Sequence, residues 1–262
     1  MKSLKNVAIC YFCPMQLIDT HTHLYLEQFD KDRAEMLQRA KDEGVSQFLL
    51  PAIDKSTFDV MWELCEMDAS CKPMMGLHPC SVKDDFESEL EFVESELRKG
   101  KYVAVGEIGI DLYWDKTFLE QQKTALARQI EWAKELNLPI VIHARESFDE
   151  IFEVIDQLND EKLRGVFHCF TGTMEQAKHI LDYGGFYLGL GGVLTYKKGG
   201  IDKIVHELPL DKIVLETDSP YLTPTPFRGK RNESAYVRIV AQKLADLLEV
   251  SLESVALATS QN

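Results

Sequence analysis

The sequence predicts an α/β protein folded as a single (β/α)8 barrel of the TIM type. Short apolar runs alternate with longer amphipathic stretches, and this alternation repeats eight times. Near-continuous apolar runs are typical of parallel strands covered on both faces, and regular strand-then-helix order favours right-handed parallel crossovers. Eight such units in about 250 residues match the size of this barrel.

The predicted strands are the apolar runs, whose length suits parallel strands buried in a barrel wall. The first contains the segment DTHTH and the last ends in LETD, so both combine apolar residues with ionisable ones. In chain order they are residues 17–24, 47–53, 73–79, 102–109, 139–144, 165–170, 186–190 and 212–218.

The predicted helices occupy the stretches between the strands, and residues 117–137 are the clearest example. There Leu126, Ile130 and Ala133 recur at spacings of four and three, which marks one face of a helix. The pattern stops just before Pro139, a common position for proline after a helix. The other predicted helices are residues 32–43, 57–67, 85–99, 148–158, 174–181, 201–208 and 235–248.

One barrel domain is predicted for residues 15–262, after an N-terminal extension at residues 1–14. An open doubly wound sheet is the alternative architecture, but no G-x-G-x-x-G follows the first strand, where a dinucleotide site would need it. Cys10 and Cys13 form one C-x-x-C, and no second pair follows at zinc-ribbon spacing. A structural zinc site is therefore not expected at the N-terminus.

The net charge and the composition exclude several classes of protein. Lys and Arg total 29 against 43 Asp and Glu, which gives a formal net charge of -14. That balance argues against a protein that coats DNA through broad basic surfaces, but not against a nuclease whose acidic pocket holds metal ions. The six cysteines are scattered, as expected of reduced thiols, and no apolar run approaches the ~20 residues of a membrane helix. The sequence predicts a cytoplasmic protein without a membrane segment.

Histidines and carboxylates collect at the carboxyl ends of the predicted strands, where barrels of this type place catalytic groups. Five of the seven histidines lie there, and alternation along the first strand points His21 and His23 to the same side. The residues in this set are His21, His23, His78, Glu107, His143, His168, Glu216 and Asp218.

Each member of this set alone has a structural explanation. A strand histidine is usually a satisfied buried polar group, and Glu107 or Asp218 could cap a helix or pair with a basic residue. Together, however, they would place many unpaired ionisable groups at one rim, which is costly unless a cation neutralises them. Imidazole and carboxylate ligands suit zinc, manganese or iron, and carboxylate with water also permits magnesium. The sequence therefore predicts a metal centre.

Seven ordered segments carry a family resemblance that extends from about Leu17 to the end of the chain. They resemble the TatD-type deoxyribonucleases, metal-dependent barrels of the amidohydrolase superfamily. The segments are DTHTHL (19–24), GLHP (76–79), GEIGID (106–111), HARES (143–147), HCFTG (168–172), LETDSPYLTP (215–224) and RGKRNES (228–234).

The resemblance implies two divalent ions, which we expect to be Mg, Mn or Zn. The ligands of the first would be His21, His23, Glu107 and Asp218. Glu107 would bridge to the second ion, which His143 and His168 would complete. The expected role of Glu216 is to touch an additional ion or to orient His21 or Asp218. Asp218, a ligand and a carboxylate at once, would also accept the proton of the attacking water.

Basic and aromatic residues near the same rim are candidates for substrate binding. Arg145 lies two residues past His143 and should share its face, while His78 could donate to phosphate or be structural. A loop after the last strand, where barrels commonly bind phosphate, carries Arg228, Lys230 and Arg231; the alternative for these three is a solvated basic loop. Aromatic side chains that follow strands could stack on unpaired bases, although packing is the favoured explanation for Tyr113, Trp114 and Tyr221.

The chain departs from the family pattern at three places, one of which is Ser234, where the family frequently has proline in the basic loop. Cys80 stands where the family often has a second histidine after strand three, which puts a phosphate contact from that position in doubt. The chain also stops at Asn262, inside the last helical region, where relatives normally continue for a short helix. Truncation of the sequence would explain this end and would leave the last barrel layer less well covered.

The resemblance implies hydrolysis of DNA phosphodiester bonds. The expected activity is that of a 3′-to-5′ exonuclease on single-stranded or frayed ends, in DNA repair or degradation. We expect the protein to be a monomer. One alternative is a small-molecule amidohydrolase or deaminase on the same scaffold, but such relatives often carry a carbamylated lysine on strand four, where this chain has Glu107. A noncatalytic module that only recognises nucleic acid is the other alternative, and it would have no need of an open bimetallic site.

Overall fold

The computed structural model describes residues 15–262, in which eight strands alternate with helices. The predicted extension, with Cys10 and Cys13, lies outside the described residues. The strands are β1 (Leu17–Asp19), β2 (Val45–Pro51), β3 (Cys71–Met74), β4 (Val105–Asp111), β5 (Ile140–Arg145), β6 (Gly165–Phe167), β7 (Phe186–Leu190) and β8 (Ile213–Leu215). The α-helices are α1 (Arg33–Asp42), α2 (Phe58–Met67), α3 (Phe86–Leu97), α4 (Leu119–Leu136), α5 (Phe148–Leu158), α6 (Met174–Asp182), α7 (Val237–Leu248) and α8 (Leu252–Gln261).

The strands are parallel and close into a barrel. Ladder hydrogen bonds join β1 to β3 in one run and β4 to β8 in another. The two runs meet where Met75 N donates to Ala104 O over 3.2 Å, and the barrel closes where Thr20 N donates to Leu215 O over 3.0 Å. This arrangement confirms the predicted (β/α)8 barrel.

The core lies inside the barrel and between the barrel and its helices. All seven residues of β4 are buried, as expected of a strand covered on both faces. On α5 the buried side chains Ile151, Val154 and Ile155 recur at spacings of three and four. Burying one such side chain contributes roughly 1.5–3 kcal/mol, so the apolar helix faces hold the helices to the barrel.

Several predicted strands are too long at their carboxyl ends. The strand predicted at residues 17–24 ends at Asp19, because Thr22 N donates to Leu49 O and His23 N donates to Ser219 O, outside the ladder. Similarly, β6 ends at Phe167 and β8 at Leu215. The ionisable residues that follow these three strands therefore lie on loops, which leave the barrel wall and turn across its mouth.

The helix predicted at residues 201–208 is wrong. That segment forms two short 3-10 turns, Ile201–Lys203 and Val205–Glu207. Gly200 precedes it and Pro209 follows it, which leaves too few residues for a stable α-helix. By contrast, α4 and α5 confirm the helices predicted at 117–137 and 148–158, and Asn137 ends α4 in the left-handed conformation with φ 54°.

The last two helices cover the start of the barrel. α7 corresponds to the predicted helix at 235–248, and α8 follows it after a short turn. At the end of α8, Asn262 Nδ2 donates to the carbonyls of Leu210 and Ile213, 3.0 and 2.7 Å away. Among residues 15–262, every helix is too short or too polar to cross a membrane.

Candidate active site

Six side chains from separate parts of the chain converge at the carboxyl ends of the strands. They come from the loops after β1, β6 and β8 and from β4 and β5 themselves. Their ligand atoms, together with those of His78, form three groups in which all atoms lie within 4.8 Å of one another. The six are His21, His23, Glu107, His143, His168 and Asp218.

Glu107 lies at the centre of this cluster, and its two carboxylate oxygens face different partners. Oε2 is 3.1 Å from His21 Nε2 and 3.6 Å from His23 Nε2. Oε1 is 2.9 Å from His143 Nδ1 and 2.8 Å from His168 Nε2. One buried carboxylate therefore connects two sets of imidazoles.

Asp218 belongs to the same set as His21 and His23. Its Oδ1 lies 3.5 Å from His23 Nε2 and 3.9 Å from His21 Nε2. Backbone bonds fix this approach, because Asp218 N donates to His21 O over 2.9 Å and His23 N donates to Ser219 O over 2.8 Å. The loops after β1 and β8 are thus tied together beneath their side chains.

Close strand packing positions the second set. Gly109 has a φ of 142°, and a Cβ atom there would lie 2.0 Å from the carbonyl oxygen of His143. Only glycine permits that approach between β4 and β5. The neighbouring β4 side chain, Glu107, is thereby held beside His143.

The electrostatics of the cluster favour the ligand forms of several groups. Burial lowers the pKa of His21, which keeps its imidazole neutral. Burial alone would raise the pKa of Glu107, but the surrounding histidines hold it well below its ordinary value. Burial opposes a charge on His143 and His168, yet neighbouring carboxylates raise the pKa of both. At those two imidazoles a proton and a metal ion would compete for the same nitrogen.

The donor set fits divalent metal ions. It combines buried imidazole nitrogens with carboxylate oxygens, the ligands found at zinc and manganese sites. Within residues 15–262, the buried atoms His21 Nδ1, His168 Nδ1 and Glu216 Oε2 have no hydrogen-bond partner. Uncompensated buried polar atoms cost about 1–3 kcal/mol each, so this region is built for something other than stability.

Glu216 is fully buried behind His168. Its Oε1 accepts from Cys169 N over 2.6 Å and lies 3.6 Å from His168 Nδ1. It therefore contacts the ring of His168 on the side away from Glu107, rather than His21 or Asp218.

His78 also reaches the cluster, in a defined tautomer. Its Nδ1 accepts from Cys80 N over 3.0 Å, so the proton of the neutral ring sits on Nε2. That Nε2 is 3.3 Å from Glu107 Oε1. His78 is thus a hydrogen-bond donor facing into the site.

Sequence reasoning missed Asp111, the last residue of β4. Its Oδ2 accepts from His143 Nε2 over 2.9 Å, and its Oδ1 accepts from Tyr113 N and Trp114 N. Burial would raise the pKa of Asp111, but these hydrogen bonds, that of His143 first, lower it to about 2. Its position at the end of GEIGID, two alternate positions after Glu107, was a signal in the sequence.

Tyr25 was missed as well. Its hydroxyl donates to Pro51 O over 2.6 Å, so it must accept from His23 Nδ1, 2.9 Å away. The proton of His23 is therefore on Nδ1, and the lone pair of Nε2 faces Glu107 and Asp218. Partners of this kind fix the orientation of metal-ligating histidines.

A cleft of about 610 Å³ opens above the cluster. Of the predicted substrate residues, His78 and Arg145 line it. The guanidinium of Arg228 lies 3.7 Å from the centre of the Tyr196 ring, and Lys230 Nζ lies 5.7 Å from that of Phe227. Both cations are exposed, and neither is among the described residues that line the cleft.

Arg231 points elsewhere. Its Nη1 and Nη2 donate to the two carboxylate oxygens of Asp32 over 2.6 and 2.8 Å, and Nη1 also donates to Gln28 O. The guanidinium is stacked over Phe29, 4.5 Å from its ring centre. In this structure Arg231 fastens the basic loop to α1 and does not line the cleft.

Comparison with known proteins agrees with this geometry. A family model described as TatD related DNase matches residues 18–262. YabD of Bacillus subtilis, an uncharacterized metal-dependent hydrolase, is 39% identical over 247 residues, 94% of this chain and 96% of the relative. The crystal structure of YjjV, a TatD homologue from Escherichia coli K12, has a TM-score of 0.88 at 30% identity and covers 94% of this chain and 96% of its own.

A more distant structure supports the fold alone. The TatD family hydrolase from Entamoeba histolytica has a TM-score of 0.80 at 22% identity, over 94% of this chain and 96% of its own. The matched region of the family model runs from β1 to the end of α8 and includes all the clustered side chains. The chain belongs to the TatD-related DNase family of metal-dependent hydrolases.

Proposed function

We propose that this protein is a divalent-metal-dependent deoxyribonuclease that hydrolyses DNA phosphodiester bonds. The observation that carries the proposal is Glu107, whose two oxygens face two separate sets of imidazoles. A carboxylate in that position can bridge two cations, and paired cations are common in nucleases and phosphatases. Membership of the TatD-related DNase family supports DNA as the substrate.

We assign one ion to His21, His23, Glu107 and Asp218, and a second to Glu107, His143 and His168. Magnesium, manganese and zinc all suit this mixed donor set. When bound, the ions would attract phosphate oxygens and lower the pKa of the attacking water. They would also neutralise the local charge, so that DNA ends can approach a protein of net charge -14.

Asp218 is the group to which we assign proton transfer. Hydrolysis forms a bond from the water oxygen to phosphorus and breaks the bond from phosphorus to the 3′ oxygen of the preceding nucleotide. The water proton passes to Asp218 Oδ1, and the leaving oxygen takes a proton from solvent. Burial would raise the pKa of Asp218, but the surrounding histidines hold it below its ordinary value, so it is ionised and able to accept at neutral pH.

His78 and Arg145 are assigned to the substrate phosphate. His78 carries its proton on Nε2, which faces the site, and Arg145 lines the cleft. Arg228 and Lys230 are exposed on the basic loop, where they would act on a longer strand. Contact of Arg231 with phosphate would require the loss of its ion pair with Asp32, so we give it the weakest substrate role of the five.

We propose 3′-to-5′ exonuclease action on single-stranded or frayed ends. The acidic surface opposes broad contact with duplex DNA, whereas a single strand can enter the cleft end first. Glu216 is assigned to the orientation of His168, or to an additional ion beside it. The monomeric state and the cytoplasmic location stay predictions from the sequence.

The test is to incubate purified protein with single-stranded DNA labelled at either end, with Mg²⁺, Mn²⁺ or Zn²⁺ or with chelator. The expected result is metal-dependent shortening from the 3′ end. Parallel reactions contain RNA, nucleosides and dipeptides. Turnover only of nucleosides or dipeptides would replace the proposal with a small-molecule amidohydrolase, and binding of DNA without turnover would indicate a recognition module.

A further inference from the structure

Three aromatic side chains at the mouth of the cleft are exposed. Tyr113 is 50% exposed, Trp114 69% and Tyr221 48%. They are the exposed aromatic residues of the described chain, and Trp114 and Tyr221 line the cleft directly. Packing, which the sequence favoured for them, is therefore the wrong explanation. Exposed aromatic area costs free energy in water, and its confinement to one rim indicates contact with a ligand.

The barrel places these residues on opposite sides of the mouth. Tyr113 and Trp114 follow β4, and Tyr221 follows β8. Strands four apart in a closed eight-stranded barrel are half a turn from each other. A single-stranded nucleic acid that crosses the mouth of the barrel would meet Trp114 on one side and Tyr221 on the other. Glu107 and Asp218 would lie between these two aromatic residues.

Trp114 is held in place by the site itself. Its backbone N–H and that of Tyr113 donate to Asp111 Oδ1 over 3.2 and 2.9 Å. The other oxygen of the same carboxylate accepts from His143. The backbone turn that carries Trp114 is therefore fixed relative to a proposed metal ligand, which keeps the residue beside the reacting centre.

Arg145 completes the arrangement. Its guanidinium lies 3.8 Å from the centre of the Tyr113 ring and 5.3 Å from that of Trp114. The two aromatic rings meet edge to face, 4.8 Å apart at 87°. Arg145 thus covers one face of the Tyr113 ring and leaves the more exposed indole of Trp114 uncovered. A nucleotide could therefore place its flat base on the indole and its phosphate near the guanidinium.

We propose that Trp114 stacks on an unpaired base of the nucleotide next to the scissile phosphate, while Arg145 holds that phosphate. The inference rests on the proposed nuclease function and adds the feature of the substrate that is recognised. Every base has a π-face, so stacking tolerates any sequence. Bases inside a duplex are already stacked on one another, and this contact therefore selects single-stranded or frayed ends.

The test pairs protein variants with base-free DNA. Trp114→Ala and Trp114→Phe are compared with the wild type on oligothymidylate and on the same strand with abasic 3′-terminal nucleotides. Trp114→Ala should lower kcat/KM on oligothymidylate between about 5-fold and about 100-fold, and Trp114→Phe should retain most of it. On the abasic strand the wild type and Trp114→Ala should be equal. Met67→Ala, 83% exposed on α2, is the matched surface control.

An equal loss on both strands would overturn the inference, because Trp114 would then act through Arg145 and not on a base. A second measurement separates this failure from failure of the nuclease proposal. Tryptophan fluorescence is titrated in Mg²⁺ with phosphorothioate versions of both strands, which resist cleavage. Quenching by oligothymidylate that is lost in Trp114→Phe supports stacking even if the wild type cleaves no DNA, and the absence of such quenching contradicts it.

Discussion

At the scale of single residues, the site is controlled by groups that fix which nitrogen of each histidine carries a proton. Tyr25 does so for His23, and the backbone N–H of Cys80 does so for His78. Asp111 does so for His143, because the ionised carboxylate accepts from Nε2 and leaves Nδ1 facing Glu107. These partners decide which lone pairs are available to a metal ion.

Replacing Asp218 by Asn tests its assignment as proton acceptor. The substitution preserves shape but removes the carboxylate, so DNA cleavage should fall by at least about 100-fold. Circular dichroism and thermal unfolding should show a folded protein. Full activity in this variant would remove Asp218 from the mechanism.

Replacing Asp111 by Asn tests the orientation of His143. An amide that donates to Nε2 would force the ring proton onto Nδ1, the atom that faces Glu107. Affinity for Mn²⁺, measured by calorimetric titration, should fall roughly 10- to 100-fold. Asp115→Asn removes an exposed carboxylate from the same loop and is the control. Unchanged affinity in Asp111→Asn would show that the hydrogen bond to His143 plays no part in metal binding.

At the scale of elements, the basic loop is attached to two parts of the barrel. Arg231 forms an ion pair with Asp32 at the start of α1, and Glu233 accepts a hydrogen bond from Arg39 of the same helix. Between them, the buried Asn232 donates to the carbonyls of Thr217 and Tyr221 over 2.8 and 2.6 Å. The loop therefore supports the chain that carries Asp218 and Tyr221.

The ion pair between α1 and the loop should make stability depend on pH. Hydrogen bonds from Arg231 and Arg39 hold the pKa of Asp32 well below its ordinary value. A lowered pKa contributes stability above the unfolded value, about 3.9, and this contribution is lost as pH falls below it. Asp32→Asn should therefore lower the free energy of unfolding by on the order of 1 kcal/mol at pH 7.

Urea unfolding from pH 7 down to pH 3 measures this effect. The difference between wild type and Asp32→Asn should shrink once the pH falls below about 4. The control is Asp30→Asn, whose ion pair with Arg33 is more exposed and should contribute less. A difference that stays constant down to pH 3 would mean that the charge of Asp32 does not matter.

At the scale of the whole molecule, the site joins β1, β4, β5, β6 and β8 and can therefore couple metal binding to folding. Ions that bind only the native state stabilise it by mass action, about 2.7 kcal/mol at 100 times the dissociation constant. For a chain of this size that raises Tm by several degrees.

Differential scanning calorimetry with and without Mn²⁺ measures the shift. We expect Tm to rise in the wild type and in His206→Gln, whose exposed histidine lies outside the cluster. Glu107→Gln should lose most of the rise, because Glu107 connects both sets of imidazoles. A wild-type Tm insensitive to Mn²⁺, Mg²⁺ and Zn²⁺ would contradict the metal centre.

The accuracy with which the sequence predicts secondary structure differs between elements. Helices α4 and α5 were predicted closely, because their apolar faces repeat every three or four residues. The segment 201–208 shows the same kind of pattern but is confined between Gly200 and Pro209. The ends of β1, β6 and β8 were placed too late, because the residues after them continue the motif but not the ladder hydrogen bonds, whereas β4 and β5 extend beyond their predicted ends.

By itself, the sequence determined the barrel and the set of clustered ionisable residues. The alternation of apolar and polar residues indicates which residues are buried, and this pattern predicts the strands and helices. Histidines and carboxylates directly after apolar runs interrupt the pattern and so identify the residues of the site. Only the tertiary structure decided that Glu107 divides its oxygens between two sets, that Asp111 and Tyr25 orient histidines, and that Arg231 turns to Asp32. Hydrogen bonds are short and directional, so these contacts depend on which distant residues meet and on where their side chains point. The periodicity of the sequence carries no information about those two things.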